Sequence, residues 1–365
     1  MAQYIPIILG AFLLSLALGF FSIPRILNFC QEKNLYDIPN RRKVHKNPTP
    51  RLGGIAFLPS MLLAFIIAMI VMEAENTGSR ISINLWSVGF LASLLLIYAT
   101  GIIDDIIGLN ARVKFTVQVI TACVLPLCGL YINNFYGLLG IYEIPRWVGM
   151  MLTIGIIVLV DNSMNLIDGI DGLSASLSII ALGGFFYCFW REGMEVYCIL
   201  IAGLIGVLIP YLYYNIWGNA EKNRKIFMGD SGSLTLGFIL GFLFVKFSMD
   251  NPMVMEFSDD RIMLAYSLLI VPVFDVFRII IYRLRYRKPL FDADKNHIHH
   301  KLMKAGLTQH QALLAILVLA VFFILLNSLI FGSIGITWLI AIDITAFTLF
   351  HMVSAWYAHE STKHS

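Results

Sequence analysis

The sequence predicts an all-α protein, a polytopic membrane bundle of about eleven transmembrane helices. Three observations carry this reading. The 365 residues are 58% hydrophobic and only 13% charged, against roughly 25% charged in an average soluble protein. The apolar residues come in blocks of about 20, the length that spans a hydrocarbon core of ~30 Å. Basic residues concentrate in alternate connections between the blocks. Only helices satisfy their own backbone in lipid for a sequence this apolar. Residues 1–365 are read as one integral-membrane domain.

Eleven apolar segments follow in order: residues 3–28, 52–72, 84–103, 114–132, 147–160, 173–190, 195–215, 233–247, 262–283, 311–330 and 337–357. The first has no small-residue cleavage site after it and is read as a retained helix. The third ends at the adjacent acids Asp104 and Asp105. The fifth is short, and its apolar run gives way to the polar stretch Asn165–Leu173, NLIDGIDGL. The eighth opens from a Gly-Asp-Ser-Gly turn holding Asp230. The ninth contains Pro272, which would bend it. The tenth and eleventh are separated only by a turn near Gly332 to Gly335. Five cysteines, Cys30, Cys123, Cys128, Cys188 and Cys198, show neither metal-ligand nor disulfide spacing and are read as buried thiols.

Orientation follows from the Lys/Arg bias. Lys33, Arg41, Arg42, Lys43, Lys46 and Arg51 follow the first segment. Lys222, Arg224 and Lys225 follow the seventh, and Arg285, Arg287, Lys288, Lys295, Lys301 and Lys304 follow the ninth. The alternate connections are acidic instead. The odd-numbered gaps therefore face the cytoplasm, and the N-terminus lies outside. Every polar cluster of chemical interest then falls on the cytoplasmic side: residues 42–54, 104–114, 162–173, 227–233 and 283–300. That is the layout of one site. A carrier would place its polar groups near the bilayer midplane.

Asp104, Asp105, Asp168, Asp171 and Asp230 at one face would repel each other without a cation among them. Hard oxygen donors suit Mg²⁺, with Mn²⁺ as the alternative, and such ions complete their shell with substrate phosphate and water. Zinc spacing is absent. Asp230 has a competing reading as a helix cap. Lys46, Arg51, Lys114, Arg283, Arg285, Arg287, His297, His299 and His300 surround the acids, and a metal with bases on one face suits a phosphate-bearing ligand. For Arg41, Arg42, Lys222, Arg224 and Lys225 the preferred reading is a topology signal with headgroup contacts. Asp275 and Arg278, one turn apart, either pair with each other or meet substrate.

Five ordered segments carry a resemblance: LYDIPNRRKVHKNPTPRLGG (35–54), GIIDDIIGLNARVKFTVQ (101–118), NSMNLIDGIDGL (162–173), FMGDSGSLTLG (227–237) and PVFD with HIHHKL (272–302). The chain resembles the polyprenyl-phosphate N-acetylhexosamine-1-phosphate transferases, most of all the bacterial undecaprenyl-phosphate GlcNAc-1-phosphate branch. The resemblance implies transfer of a HexNAc-1-phosphate, GlcNAc-1-phosphate first, from a UDP-sugar to undecaprenyl phosphate. UMP is released, and the lipid-linked product starts a cell-envelope glycan. It implies a multi-pass protein of the bacterial inner membrane, with membrane lipid and the two substrates as partners and no nucleic acid. The outward apolar faces, as on any membrane bundle, offer a surface for a homodimer. UDP-QuiNAc or UDP-FucNAc is the alternative donor, and a lipid-binding or transport protein the alternative class.

Roles are implied residue by residue. Asp230 stands as the principal metal ligand, with Asn165 beside it. Asp104, Asp105 and Asp168 form the catalytic set, the first two next to the lipid phosphate. Lys114 would contact phosphate. Lys46, Arg51, Asn162, Asp171, Arg283, His297, His299 and His300 would bind substrate, Lys46 near the uracil and the histidines at the sugar and diphosphate. One departure is Asp161 before Asn162, to which the resemblance assigns no role.

Overall fold

A computed structural model describes residues 2–37, 47–75, 84–222, 224–252, 254–289 and 296–361. It is almost wholly helical. The helices are α1 (Ile5–Glu32), α2 (Phe57–Ala74), α3 (Leu85–Ile107), α4 (Ala111–Leu127), α5 (Arg146–Ile167), α6 (Leu173–Arg191), α7 (Glu195–Ile216), α8 (Asp230–Ser248), α9 (Arg261–Arg285), α10 (Ile298–Lys304) and α11 (Gln309–Ser361). Two small antiparallel hairpins complete the fold: β1 (Tyr36–Asp37) with β2 (Thr49–Pro50), and β3 (Asn134–Leu138) with β4 (Ile141–Glu143).

Among the described residues, nine helices are long and apolar enough to cross a membrane. Helix α4, at 17 residues, falls just short of that length. Helix α11, 53 residues, is counted once yet is long enough for two crossings. Gly335, at φ 70°, breaks its helical path. Asn327 Nδ2 donates to Asp343 Oδ2 at 2.9 Å across the break. Residues 16 apart on a straight helix would lie about 24 Å apart, so α11 is a helical hairpin. The eleven expected segments are therefore present, and the chain is a multi-pass membrane protein.

Helix α8 is the axis of the bundle. Every residue from Ser231 to Ser248 is buried, as expected for a helix apolar on all sides. It packs against α3 and α5, and against α6 and α9. Gly237 and Gly241, one turn apart, let the backbone of α5 close in. A Cβ on Gly237 would stand 2.5 Å from Asp161 Cα, and one on Gly241 would stand 3.2 Å from Ile157 Cα. Small residues of this kind allow close helix contact where lipid supplies no hydrophobic drive.

Several helix boundaries differ from the sequence reading; α4, for one, spans Ala111–Leu127 and not 114–132. Helix α5 does not end at residue 160 but runs on through DNSMNLI to Ile167. Its polar side chains satisfy themselves on the preceding turn: Asn162 Nδ2 donates to Val158 O at 2.8 Å and Ser163 Oγ to Leu159 O at 2.6 Å. Helix α3 likewise carries Asp104 and Asp105 inside its last two turns. Residues 298–304, read as loop, form α10. The β3–β4 hairpin was not anticipated. It is pinned at the end away from Asp230, where Asn133 Nδ2 donates to Asp250 O at 2.7 Å.

Candidate active site

The site is built where three connections and two helix ends are stitched together. Residues 50–54 run alongside 227–228. Gly53 N–H donates to Phe227 O at 2.9 Å, Gly54 N–H to Met228 O at 2.8 Å, and Phe227 N–H to Pro50 O at 2.7 Å. Gly229 then turns through φ 73°, which favours glycine, to start α8. A Cβ on Gly54 would lie 2.1 Å from Gly232 N, so the RLGG and GDSG motifs fit only as glycines. The first turn of α8 leaves backbone N–H groups to be satisfied. Asp105 of α3 supplies the acceptors, taking Asp230 N–H at 2.8 Å and Ser231 N–H at 2.9 Å. Asp105 is buried and caps α8 from a neighbouring helix.

One oxygen each of Asp104, Asp105 and Asp230 lie within 4.8 Å of one another. Lys114, in the first turn of α4, bridges two of them: its Nζ is 2.6 Å from Asp230 Oδ2 and 3.2 Å from Asp104 Oδ2. Asp104 Oδ1 also accepts Leu109 N–H at 2.6 Å. Asn165 stands one helical turn beyond Asp161 on α5, and its Nδ2 donates to Asp230 Oδ1 at 3.1 Å and to Ser233 Oγ at 2.8 Å. Asp230 therefore opens α8 but caps nothing. It receives from Lys114 and Asn165 instead.

Asp168 and Asp171 lie on the turn after α5. Asp168 has no ion pair among the described residues. Burial, then the negative charges of Asp230, Asp171 and Asp105, push its carboxyl up to about 8. Asp171 is paired instead, with Lys225 Nζ 2.5 Å from Oδ2. The topology reading of Lys225 is thus corrected, because its charge is spent on a carboxylate of the site.

The histidine motif is seated by α9. Asp275 is fully buried. It takes His297 Nδ1–H at 2.8 Å, Ile298 N–H at 3.1 Å and Arg278 Nη2–H at 3.0 Å. The Asp275–Arg278 pair is therefore structural, and Asp275 caps α10. His299 is 1% exposed, and neither ring nitrogen is hydrogen-bonded among the described residues. It packs so tightly on the turn after α5 that a Cβ on Gly169 would meet its Nε2 at 2.2 Å. Burial, then His300 and His297, lower its pKa to about 3, so its ring is neutral.

These elements enclose a cleft of about 410 Å³. Of the expected site residues, Arg51, Asp104, Asp105, Asn165, Asp168, Asp171, Asp230 and His300 line it. Lys114 reaches it through Asp104 and Asp230. His299 lies against His300, ring centroids 4.2 Å apart, and His297 stacks on His299 at 5.9 Å. Asn162 points to α4, donating to Gln118 Oε1 at 2.9 Å. Arg283 is buried at the end of α9, away from the lining. Lys46 falls outside the described residues. Sequence reasoning missed Tyr211 and Asn215 of α7, which also line the cleft. Asn215 ends a long apolar segment, the one signal it offered. Asp161 is buried against Gly237.

The donor set suits a hard divalent cation. Three carboxylate oxygens converge, and Asn165 offers an amide oxygen beside them once its amide is turned.

Comparison with known proteins gives a consistent result. The model of glycosyl transferase family 4 matches residues 87–248. A probable undecaprenyl-phosphate N-acetylglucosaminyl 1-phosphate transferase of Bacillus subtilis (strain 168) is 31% identical over 318 residues, covering 87% of this chain and 83% of the relative. The undecaprenyl-phosphate alpha-N-acetylglucosaminyl 1-phosphate transferase of Yersinia pestis is 28% identical, covering 77% and 73%. A decaprenyl-phosphate N-acetylglucosaminephosphotransferase of Mycolicibacterium smegmatis is 29% identical, covering 76% and 71%.

Proposed function

The chain belongs to glycosyl transferase family 4, and on that premise we propose that it transfers N-acetylglucosamine-1-phosphate from UDP-GlcNAc to undecaprenyl phosphate, releasing UMP. The product is a lipid-linked diphosphate sugar. The observation that carries the reading is the cleft, where acids from α3, α8 and the turn after α5 meet Lys114 and Arg51 at one end of a membrane bundle. We place that end on the cytoplasmic face of a bacterial inner membrane, where a lipid phosphate and a soluble nucleotide can meet.

An oxygen of the lipid phosphate forms a bond to the β-phosphorus of the donor. The bond from that phosphorus to the bridging oxygen breaks, and UMP leaves with the electron pair. One phosphoanhydride replaces another, so the barrier is chiefly the approach of two anions. A phosphate monoester has its second pKa near ~6 and is mostly dianionic at neutral pH, so no general base is required. Asp105, with both oxygens held by backbone N–H groups, positions Asp230. Lys114 and Arg51 supply positive charge to the phosphates. Asp168 is protonated at neutral pH, so it donates a hydrogen bond to a phosphate oxygen without adding repulsion. Mg²⁺, or Mn²⁺, held by Asp230 and Asp104 with Asn165 beside them, would neutralise the diphosphate and ease the departure of UMP.

The test is a membrane assay with undecaprenyl phosphate, Mg²⁺ and sugar-labelled UDP-GlcNAc. The expected result is a lipid-extractable product that EDTA abolishes. Absence of product with UDP-GlcNAc, and with UDP-QuiNAc and UDP-FucNAc in its place, would contradict the transferase reading. Product from one of the other two alone would reassign the donor.

A further inference from the structure

The connection between α7 and α8 sends one side chain to the site that the transfer scheme does not use. Lys225 Nζ lies 2.5 Å from Asp171 Oδ2, and the two side chains are 19% and 14% exposed. Asn215 joins the same two segments again. Its Oδ1 accepts Gly172 N–H at 2.6 Å, and its Nδ2 donates to Ile226 O at 2.8 Å. Residues 171–172 and 225–226 are thus clamped together, and Asp171 and Asn215 both face the cleft.

The distribution of charge says what the clamp does. Asp104 and Asp230 share Lys114, and Asp105 is held by backbone N–H groups. Asp168 has no cationic partner among the described residues and is neutralised by a proton. Of Asp104, Asp105, Asp168, Asp171 and Asp230, Asp171 is the one matched one to one with a cation among the described residues. Without Lys225 it would stand as an uncompensated anion three residues from Asp168, beside the path of an anionic nucleotide. With Lys225 its Oδ2 is fixed and its Oδ1 is left to accept from a ligand N–H or O–H.

We infer that Lys225 is a positioning residue for the donor, holding Asp171 as a fixed hydrogen-bond acceptor for the uridine nucleotide while having no part in binding the lipid phosphate. The inference rests on the transferase reading for the identity of the donor. It depends on a separate observation, since the acids tied to Lys114 belong to α3 and α8 while Asp171 and Lys225 belong to the connections beside them.

The experiment compares wild type, K225M and K225R. KM is measured for UDP-GlcNAc and for undecaprenyl phosphate separately, and UMP is titrated calorimetrically into the purified protein. K225M should raise both the donor KM and the UMP dissociation constant roughly 10-fold, the effect of losing one charged hydrogen bond. The acceptor KM should stay within about twofold, and K225R should restore the donor KM to within about threefold. A merely structural role would move both KM values together. That result, an unchanged UMP affinity in K225M, or no rescue by K225R overturns the inference. If K225M is not recovered folded, K225Q carries the same expectations. Wild type that binds UMP but transfers nothing contradicts the transferase reading, and the titration still decides the role of Lys225.

Discussion

The carboxylate of Asp105 holds the backbone N–H of Asp230 at 2.8 Å, so the acid at the end of α3 fixes the acid at the start of α8. Its second oxygen holds Ser231 N–H at 2.9 Å. Adjacent acids in the sequence therefore have different tasks. Asp105 seats a helix, and Asp104 faces Lys114.

That difference is measurable. D105N places an amide donor against a backbone donor and should destabilise the detergent-solubilised protein by about 1–3 kcal/mol, with activity lost as well. D104N should lose activity at near wild-type thermal stability. Equal stability losses in the two variants would contradict the division.

Asp168 sets an alkaline limit. Its carboxyl holds a proton up to a pH of about 8, so it turns into an anion as the pH rises past that value. Transfer should fall on the alkaline side as the cleft gains that charge. D168N cannot ionise, and its rate profile should lack this limb. A wild-type profile flat to pH 10, or an unchanged limb in D168N, would contradict the role.

Lys114 occupies the space between two acids, 2.6 Å from Asp230 and 3.2 Å from Asp104. A divalent ion drawn to those carboxylates competes with its ammonium group. K114M should therefore bind Mn²⁺ more tightly, by roughly 10-fold, when followed by electron paramagnetic resonance, while turnover falls because the phosphate loses a cation. Weaker Mn²⁺ binding in K114M would contradict the competition.

What the sequence made legible follows from physical contrast. Asp104, Asp168, Asp171 and Asp230 stand out because ionisable residues are costly beside apolar segments. The close approach of Gly54 to Gly232 was not read from the sequence, where the glycines of RLGG stand only as part of a motif. Lys225 was hidden among topology-setting bases, since spacing alone does not say which cation turns inward. Asn215 was hidden at the end of an apolar helix. The extension of α5 to Ile167 escaped because polar residues there look like a loop, whereas Asn162 and Ser163 bond back to their own helix. The seating of α10 by Asp275 depends on a contact between residues more than twenty apart.

The most direct test of the central claim follows the phosphorus. Purified protein, Mg²⁺, undecaprenyl phosphate and UDP-GlcNAc labelled with ³²P at the β-phosphate are incubated, and the lipid and nucleotide fractions are separated. Transfer of the sugar with its phosphate puts the label in the lipid and leaves UMP unlabelled, in equal amounts, and D230N removes both products while the protein still folds. Label retained in UDP, or D230N with near wild-type yield, would contradict the account.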